Sequence, residues 1–259
     1  MSQIMKILDR LWRLFATGLS FVAFGLGGLF LSIFVFPLIF LFLRNPVTSQ
    51  RTARRLIGYA FGAHIWMMKS MGALTYTITG MENAGTGQNQ LIIANHPSLI
   101  DVVFLVSLFS RVDCVIKEAV RKNPFMRGVV VPARYISSDD PAALLDSCVA
   151  RLKAGGSLLL FPEGTRSVHG AGLSFKLGAA SVAIRSDAEI LPVVIRCSQP
   201  GFLAKNVPWY RVPPEKPVFN IHIGKAIRVQ ELIPDETDPR QATRTLNKAL
   251  LRLFDAKLA

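Results

Sequence analysis

Between Leu19 and Leu43 the chain carries no charged residue. As a helix that run would rise about 37 Å, more than the roughly 30 Å hydrocarbon core of a bilayer. The core helix of a water-soluble domain has no use for such a length, so the segment is expected to meet lipid. Gly25, Gly27, Gly28 and Pro37 interrupt it, which leaves two forms open. It is either a crossing helix or a bent, re-entrant pair of short helices held in one leaflet. It does not read as a cleaved leader, because the apolar run is too long and no small-x-small site follows it. Lys6, Arg10 and Arg13 precede it and Arg44, Arg51, Arg54 and Arg55 follow. The heavier basic cluster places the C-terminal end of the segment in the cytoplasm.

The composition supports a lipid contact. Hydrophobic residues make up 51% of the 259, and the mean hydropathy of +0.37 is high for a freely soluble protein. From Arg51 to about Met71, arginines and Lys69 alternate with Ile57, Tyr59, Phe61, Trp66 and Met68, the make-up of an interfacial helix with aromatics at the headgroup level. His64 inside it is read as structural. A net charge of +13 allows nucleic acid, an anionic membrane or phosphorylated substrates as partners. No nucleic-acid motif or long basic run accompanies the charge, so anionic lipid fits best.

From Ala73 the texture changes to short α/β units, which divides the chain into residues 1–72, a membrane anchor with interfacial helices, and 73–259, an α/β domain. Leu91-Ile92-Ile93-Ala94 is an apolar run of β type that breaks at Asn95-His96-Pro97-Ser98, after which Leu99, Ile100, Val102, Val103 and Leu105 suit a buried helix. His96 therefore sits at a strand-to-helix turn. If the helix starts near Ser98, His96 lies outside it and can fold back toward Asp101. A histidine held by a carboxylate at the end of a parallel strand is suited to general-base work. Ser98 followed three residues later by Asp101 also fits a helix-capping pattern, and the pair alone leaves both readings open.

A second run, Ser157 to Phe161, breaks into Pro162-Glu163-Gly164-Thr165-Arg166-Ser167. Arg166 can grip a phosphate through two parallel hydrogen bonds, while Gly164 and Thr165 let backbone amides approach an anion. The plainer alternative is a Glu163–Arg166 pair across the turn. Ligands of open α/β sheets gather at the carboxyl edge of the strands, so both turns are expected on the same side.

Together, Asn95-His96-Pro97-Ser98-Leu99-Ile100-Asp101 and Phe161-Pro162-Glu163-Gly164-Thr165-Arg166-Ser167 resemble the lysophospholipid acyltransferase family, whose bacterial type is 1-acylglycerol-3-phosphate acyltransferase. Two further blocks match in order: Lys117-Glu118 with Asn123-Pro124-Phe125 and Gly128, and Ile190 to Ile195. The resemblance covers roughly residues 73 to 200 and implies an O-acyltransferase of phospholipid biosynthesis. Its His-x4-Asp block implies His96 and Asp101 as catalytic. Its other motif implies Glu163, Gly164, Thr165 and Arg166 at the acceptor phosphate, with Lys117 assisting. The implied donor is acyl-CoA or acyl carrier protein. An acyl thioester is already activated, so neither a cofactor, a metal nor a covalent acyl-enzyme is expected, and Ser98 is read as a cap. With the arginines near the membrane segment, the site is expected on the cytoplasmic face of the inner membrane. One departure matters: the family's second block closes with an arginine after a short strand, where this chain reads Arg134-Tyr135-Ile136-Ser137-Ser138-Asp139-Asp140. Arg134 comes too early, so an acceptor other than lysophosphatidate stays open, as does a catalytically silent membrane-binding protein.

The remaining chain supplies scaffold. Leu74–Thr79 and Cys114–Lys117 are expected strands, Gly80–Gln88 a loop, and the stretch around Pro124 and Gly128 a basic loop with Arg121, Lys122 and Arg127. Asp140-Pro141 opens a helix to Lys153 that stops at Gly155-Gly156. A helix over Phe175–Arg185, strands over Ile190–Arg196 and Val218–Ile223, and a helix over Pro239–Leu258 complete a mixed, largely parallel sheet flanked by helices. His169 reads as a loop residue and His222 as a strand residue. The proline-rich stretch Gln199–Pro217 reads as a surface excursion, with Phe202, Trp209 and Tyr210 able to meet an acyl chain or the membrane. Cys114, Cys148 and Cys197 form neither a disulfide framework nor a metal-ligand spacing.

Overall fold

The computed structural model describes residues 3–85, 89–122, 124–168, 170–234 and 238–258. His169, Asn123 and residues 86–88 of the expected loop lie outside the described residues. The centre of the fold is β2 (Gln90–Ala94), buried along its whole length. Its successive side chains alternate between two cores: Ile92 and Ala94 face one, Leu91 and Ile93 the other. The sheet has the order β1-β6-β5-β2-β4-β3. β1 is Thr75–Thr79, β3 Asp113–Cys114, β4 Leu158–Leu160, β5 Glu189–Cys197 and β6 Val218–Ile223. Every pairing is parallel except β5 with β6, so β2, β3, β4 and β5 all deliver their carboxyl ends to one edge. The sheet is mixed and largely parallel, as the sequence indicates.

The apolar N-terminal segment is not broken by its glycines. α1 (Gln3–Phe30) runs through a π-helical stretch, Leu31–Val35, into α2 (Phe36–Phe42). The wide turn lies directly before Pro37, where a proline removes a helical donor, and the helix absorbs the loss by lengthening its repeat. After Leu43 the chain reverses at Asn45, whose side chain accepts from the amides of Val47 and Thr48, and α3 (Pro46–Ser70) returns alongside α1.

These helices share a core with the sheet. One hydrophobic cluster runs from Ala16 and Phe36 through Ile57 and Met68 to Phe104, Ile92 and Leu191. α4 (Asp101–Leu108) lies on the same face, packed against α3. Arg54 of α3 is buried, pairing with Asp113 and donating to the Ala133 carbonyl, and Arg151 meets the same aspartate at 3.1 Å. His64 is buried against Phe24 and Phe21, and burial pushes its pKa down to about 4, so the ring is neutral. The other face of the sheet carries α7 (Pro141–Lys153), α8 (Gly178–Ser186) and α10 (Pro239–Leu258). A short helix, α9 (Val229–Leu232), precedes α10. Asp140 caps α7 as its sequence indicates.

The stretch expected as a basic loop is helical instead, forming α5 (Glu118–Lys122) and α6 (Pro124–Ala133). The buried Val129 and Val130 supply the reason, since their burial beneath α1 outweighs the punctuation of Pro124 and Gly128. Gly128 is where α6 meets the π-helical stretch: a Cβ there would lie 2.2 Å from Ser32 Oγ. Of the three loop cations, Arg121 pairs with Glu118 and Lys122 with Asp139. Phe202 is buried in the core, whereas Trp209 and Tyr210 are exposed.

Candidate active site

β2 ends at Ala94, and the next side chain continues its ladder. Asn95 Nδ2 donates to the Ile195 carbonyl at 2.8 Å and Asn95 Oδ1 accepts the Ile195 amide at 2.7 Å. A buried side-chain amide thus replaces the backbone pair that β5 would otherwise miss, and it frees the main chain to turn outward at His96. α4 starts at Asp101, so His96 lies outside the helix and folds back over its first turn.

His96 Nδ1 lies 2.9 Å from Asp101 Oδ2. The same oxygen accepts the Ser98 amide at 2.6 Å, and Asp101 Oδ1 accepts from the Ser98 hydroxyl. Asp101 therefore does both things left open by its spacing, ordering the imidazole and capping the turn. It is completely buried. Burial raises its pKa, against the pull of the hydrogen bonds from His96 and Ser98. An ionised carboxylate only accepts, so Nδ1 carries the hydrogen and Nε2 offers its lone pair. The ring stacks on Phe161 with centroids 4.3 Å apart, and 15% of its side chain is exposed.

The second turn is bound directly to the first. Glu163 Oε1 accepts the His96 amide at 2.9 Å and the Ser167 hydroxyl at 2.9 Å, while the His96 carbonyl accepts the Ser167 amide at 2.7 Å. Glu163 is buried and faces the protein, and no Glu163–Arg166 ion pair forms across the turn. Arg166 uses Nη1 on the carbonyls of Leu203 and Ala204, both at 3.1 Å. Among the described residues its Nε and Nη2 have no partner, and that edge is the one a bidentate anion takes. Gly164 has φ +67°, a left-handed turn that glycine adopts without cost. Lys176 lies across it: a Cβ on Gly164 would meet Lys176 Nζ at 3.0 Å. Lys117 is exposed just beyond β3, on the same sheet edge and one strand past β4.

The backbone amides of the first turn are all engaged. His96 donates to Glu163, Ser98 to Asp101 and Leu99 to the Leu203 carbonyl at 3.0 Å, and Pro97 has no N–H. In the second turn the amides of Thr165 and Arg166 have no partner among the described residues. Several participants were not singled out from the sequence, among them Asn95, Phe161, Ser167, Lys176, Leu203 and Ala204. Asn95 stands beside the histidine at a strand end, which is the one signal the sequence offered.

Comparison with known proteins places this site in context. Residues 75–196 match the family model described as Acyltransferase, a span containing both turns. A putative 1-acyl-sn-glycerol-3-phosphate acyltransferase of Caenorhabditis elegans is 30% identical over 57% of this chain and 56% of its own length. The chloroplastic 1-acyl-sn-glycerol-3-phosphate acyltransferase of Arabidopsis thaliana is 28% identical over 62% of this chain and 47% of its own. The enzyme of that name in Borreliella burgdorferi is 26% identical over 63% of each. The chain spans about half the length of the curated relatives it matches. In fold, it matches the crystal structure of a 1-acyl-sn-glycerophosphate acyltransferase from Thermotoga maritima, with a TM-score of 0.63 and 21% identity over 99% of this chain and 98% of the other.

Proposed function

We propose that this chain, whose residues 75–196 form an acyltransferase-family domain, transfers a fatty acyl group from acyl-CoA or acyl carrier protein to the free hydroxyl of 1-acylglycerol-3-phosphate, giving phosphatidate. The observation that carries the reading is the joining of the two turns. The free Nε2 edge of a carboxylate-held histidine and the open fork of Arg166 are held together by two hydrogen bonds between the turns, the His96 amide to Glu163 and the Ser167 amide to the His96 carbonyl. His96 Nε2 takes the proton of the acceptor hydroxyl as its oxygen attacks the thioester carbonyl. The C–S bond then breaks, and the departing thiolate takes the proton back from the imidazolium. Asp101 holds the ring and its developing charge. Arg166 Nε and Nη2 grip the headgroup phosphate, with Lys176 and Lys117 as further cations. The amides of Thr165 and Arg166 are available to the oxyanion or to a phosphate oxygen. Glu163 serves the reaction by anchoring the His96 turn, since a carboxylate at the phosphate would repel it.

The membrane contact follows from the exposure of α1 and α2. The segment Gln3–Phe42 contains an 18-residue window of mean hydropathy 2.4 and is long enough to cross a bilayer. Ile4, Leu11, Phe15, Val22, Leu26 and Ile33 are exposed and fall on one face. The opposite face buries Arg13, Ala16, Thr17 and Ser20 against protein. With that buried side packed on its own protein between residues 13 and 20, we read the helix as lying lengthwise in one leaflet. Exposed Trp66 and Tyr59 of α3 add interfacial anchors. The cytoplasmic face of the inner membrane is the location that agrees with the basic flank and with a thioester donor.

The test is thiol release by the purified full chain in mixed micelles, with a panel of lysolipids and non-phosphate alcohols as acceptors. Arg166→Ala should raise KM for 1-acylglycerol-3-phosphate and leave KM for the acyl donor unchanged. An unchanged acceptor KM would remove Arg166 from the phosphate site. The displaced arginine of the second block motivates a second reading, an acyltransferase of another acceptor, and faster turnover of a different alcohol would establish it. Thioester consumption that is lost in His96→Ala would exclude a catalytically silent fold, and no consumption by the wild-type chain with any acceptor would point to one.

A further inference from the structure

The loop 199–217 between β5 and β6 touches the candidate site at one end and the membrane-facing helix at the other. At the site end, Phe202, Leu203 and Ala204 are buried. Leu203 has φ +55°, a left-handed conformation that a leucine adopts only where its surroundings impose it. That twist turns one carbonyl onto two partners, the Leu99 amide of the His96 turn at 3.0 Å and Arg166 Nη1 at 3.1 Å. With Ala204 taking the second Nη1 hydrogen, Arg166 is left a single outward edge.

At the other end, Arg13 of α1 is 0% exposed. Its Nη1 donates to the carbonyls of Pro213 and Glu215 at 2.9 and 3.0 Å, its Nη2 to Pro214 at 2.6 Å, and its Nε to Asp9 at 2.9 Å. Arg10 Nε holds the Val212 carbonyl at 3.0 Å. Trp209 rests on Gly18, where a Cβ would come within 3.2 Å of the ring. A fully buried guanidinium spent on backbone carbonyls fixes the path of a loop; it does not bind lipid headgroups.

We infer that loop 199–217 is a strap by which α1 positions the headgroup-gripping arginine: Arg13 sets the course of the strap, and the left-handed Leu203 converts that course into the orientation of Arg166 against the His96 turn. Arg13 and Leu203 are positioning residues that touch no substrate. The inference rests on the reading of Arg166 as the headgroup ligand. It adds that the docking of the membrane-facing helix determines acceptor affinity through this loop.

A mutant cycle in the full-length chain tests it, read as acceptor KM and kcat for 1-acylglycerol-3-phosphate in mixed micelles with melting temperature alongside. Arg13→Met keeps the bulk and removes the donors. It should raise acceptor KM about tenfold, the scale of a lost charged hydrogen-bond network, with kcat and donor KM unchanged. In an Arg166→Ala background the same substitution should add nothing, because its route is gone. Arg13→Lys, which cannot fork across three carbonyls, should fall between. Leu203→Val, whose β-branched side chain resists the left-handed conformation, should reproduce the acceptor effect and the same loss of additivity. If Arg13→Met does not accumulate, Trp209→Ala, at an exposed position on the strap, carries the same comparison with a smaller rise, about threefold. An unchanged acceptor KM in the folded variants, or an equal rise in both backgrounds, overturns the strap. An Arg166→Ala enzyme with wild-type acceptor KM overturns the headgroup reading and the strap with it, so the two failures are told apart by which single variant is silent.

Discussion

Asp101→Asn separates what the buried carboxylate does for the reaction from what it does for the fold. The asparagine oxygen can take the place of Oδ2, keeping the bonds from His96 Nδ1 and the Ser98 amide, and its NH2 can donate to the Ser98 hydroxyl where Oδ1 now accepts. Geometry and tautomer survive, and only the charge is removed. On the proposed mechanism that charge stabilises the imidazolium forming on His96. At an effective dielectric of about 20, a charge pair about 4 Å apart is worth about 4 kcal/mol. Proton transfer is incomplete at the transition state, which leaves about 2–4 kcal/mol, or a kcat lower by about 30- to 1,000-fold.

Stability should move the other way. Burial raises the pKa of Asp101 above its ordinary value despite the hydrogen bonds from His96 and Ser98. The fold therefore favours the protonated form, and holding the ionised form at neutral pH costs stability. A neutral isostere escapes that cost. Asp101→Asn should melt at or above the wild-type temperature at neutral pH, with the gap closing as pH falls to about 4, where the wild-type carboxyl is protonated too. Parallel thiol-release kinetics and thermal melts across pH check both halves. A kcat within threefold of wild type would refute the role given to the carboxylate. A melting temperature several degrees lower at neutral pH would show that the hydrogen bonds outweigh desolvation.

His96→Ala should lower kcat by about 10² to 10⁴ with acceptor KM largely kept, as for loss of a general base; single-turnover thiol release separates the two. Glu163→Gln retains an acceptor for the His96 amide and the Ser167 hydroxyl and should leave acceptor KM near wild type. Glu163→Ala, by contrast, should lower both kcat and melting temperature, and an acceptor KM raised equally by both variants would return Glu163 to the phosphate. Asn95→Ala orphans a buried amide and a buried carbonyl of Ile195 at about 1–3 kcal/mol each. A drop of about 5–15 °C in melting temperature is expected, and a drop below 2 °C would show that water or a shifted strand replaces the side chain.

The sheet and both turns were legible because each rests on local signals: an apolar run that fills a buried strand, then a proline or glycine break. β2 and β4 announce themselves in that way, and Asp140-Pro141 with Gly155-Gly156 frames α7 for the same reason. α6 was misread because proline and glycine punctuation was weighed without the partner helix that buries Val129 and Val130. The apolar N-terminal run was legible as a lipid contact but not in form, since a glycine-rich stretch breaks a helix in isolation and holds when Gly128 and Ser32 lock it to a neighbour.

Charge was the least legible property, and the reason is physical. A formal charge announces itself in sequence, whereas its partners are carbonyls that every residue carries. Arg13 looked like one of three cations flanking a membrane segment, yet its donors end on Asp9 and on the backbone of a loop about two hundred residues away. Arg54 looked interfacial and is sealed against Asp113. Glu163 looked like a partner for a phosphate-binding turn and holds the histidine's backbone instead. Each of these side chains satisfies main chain at or past the end of regular structure, Arg13 at Pro213 to Glu215, Arg54 at Ala133 and Glu163 at His96. A site assembled from turns needs such partners, because the turns that expose His96 and Arg166 give up the ladder bonds that helices and strands supply for themselves.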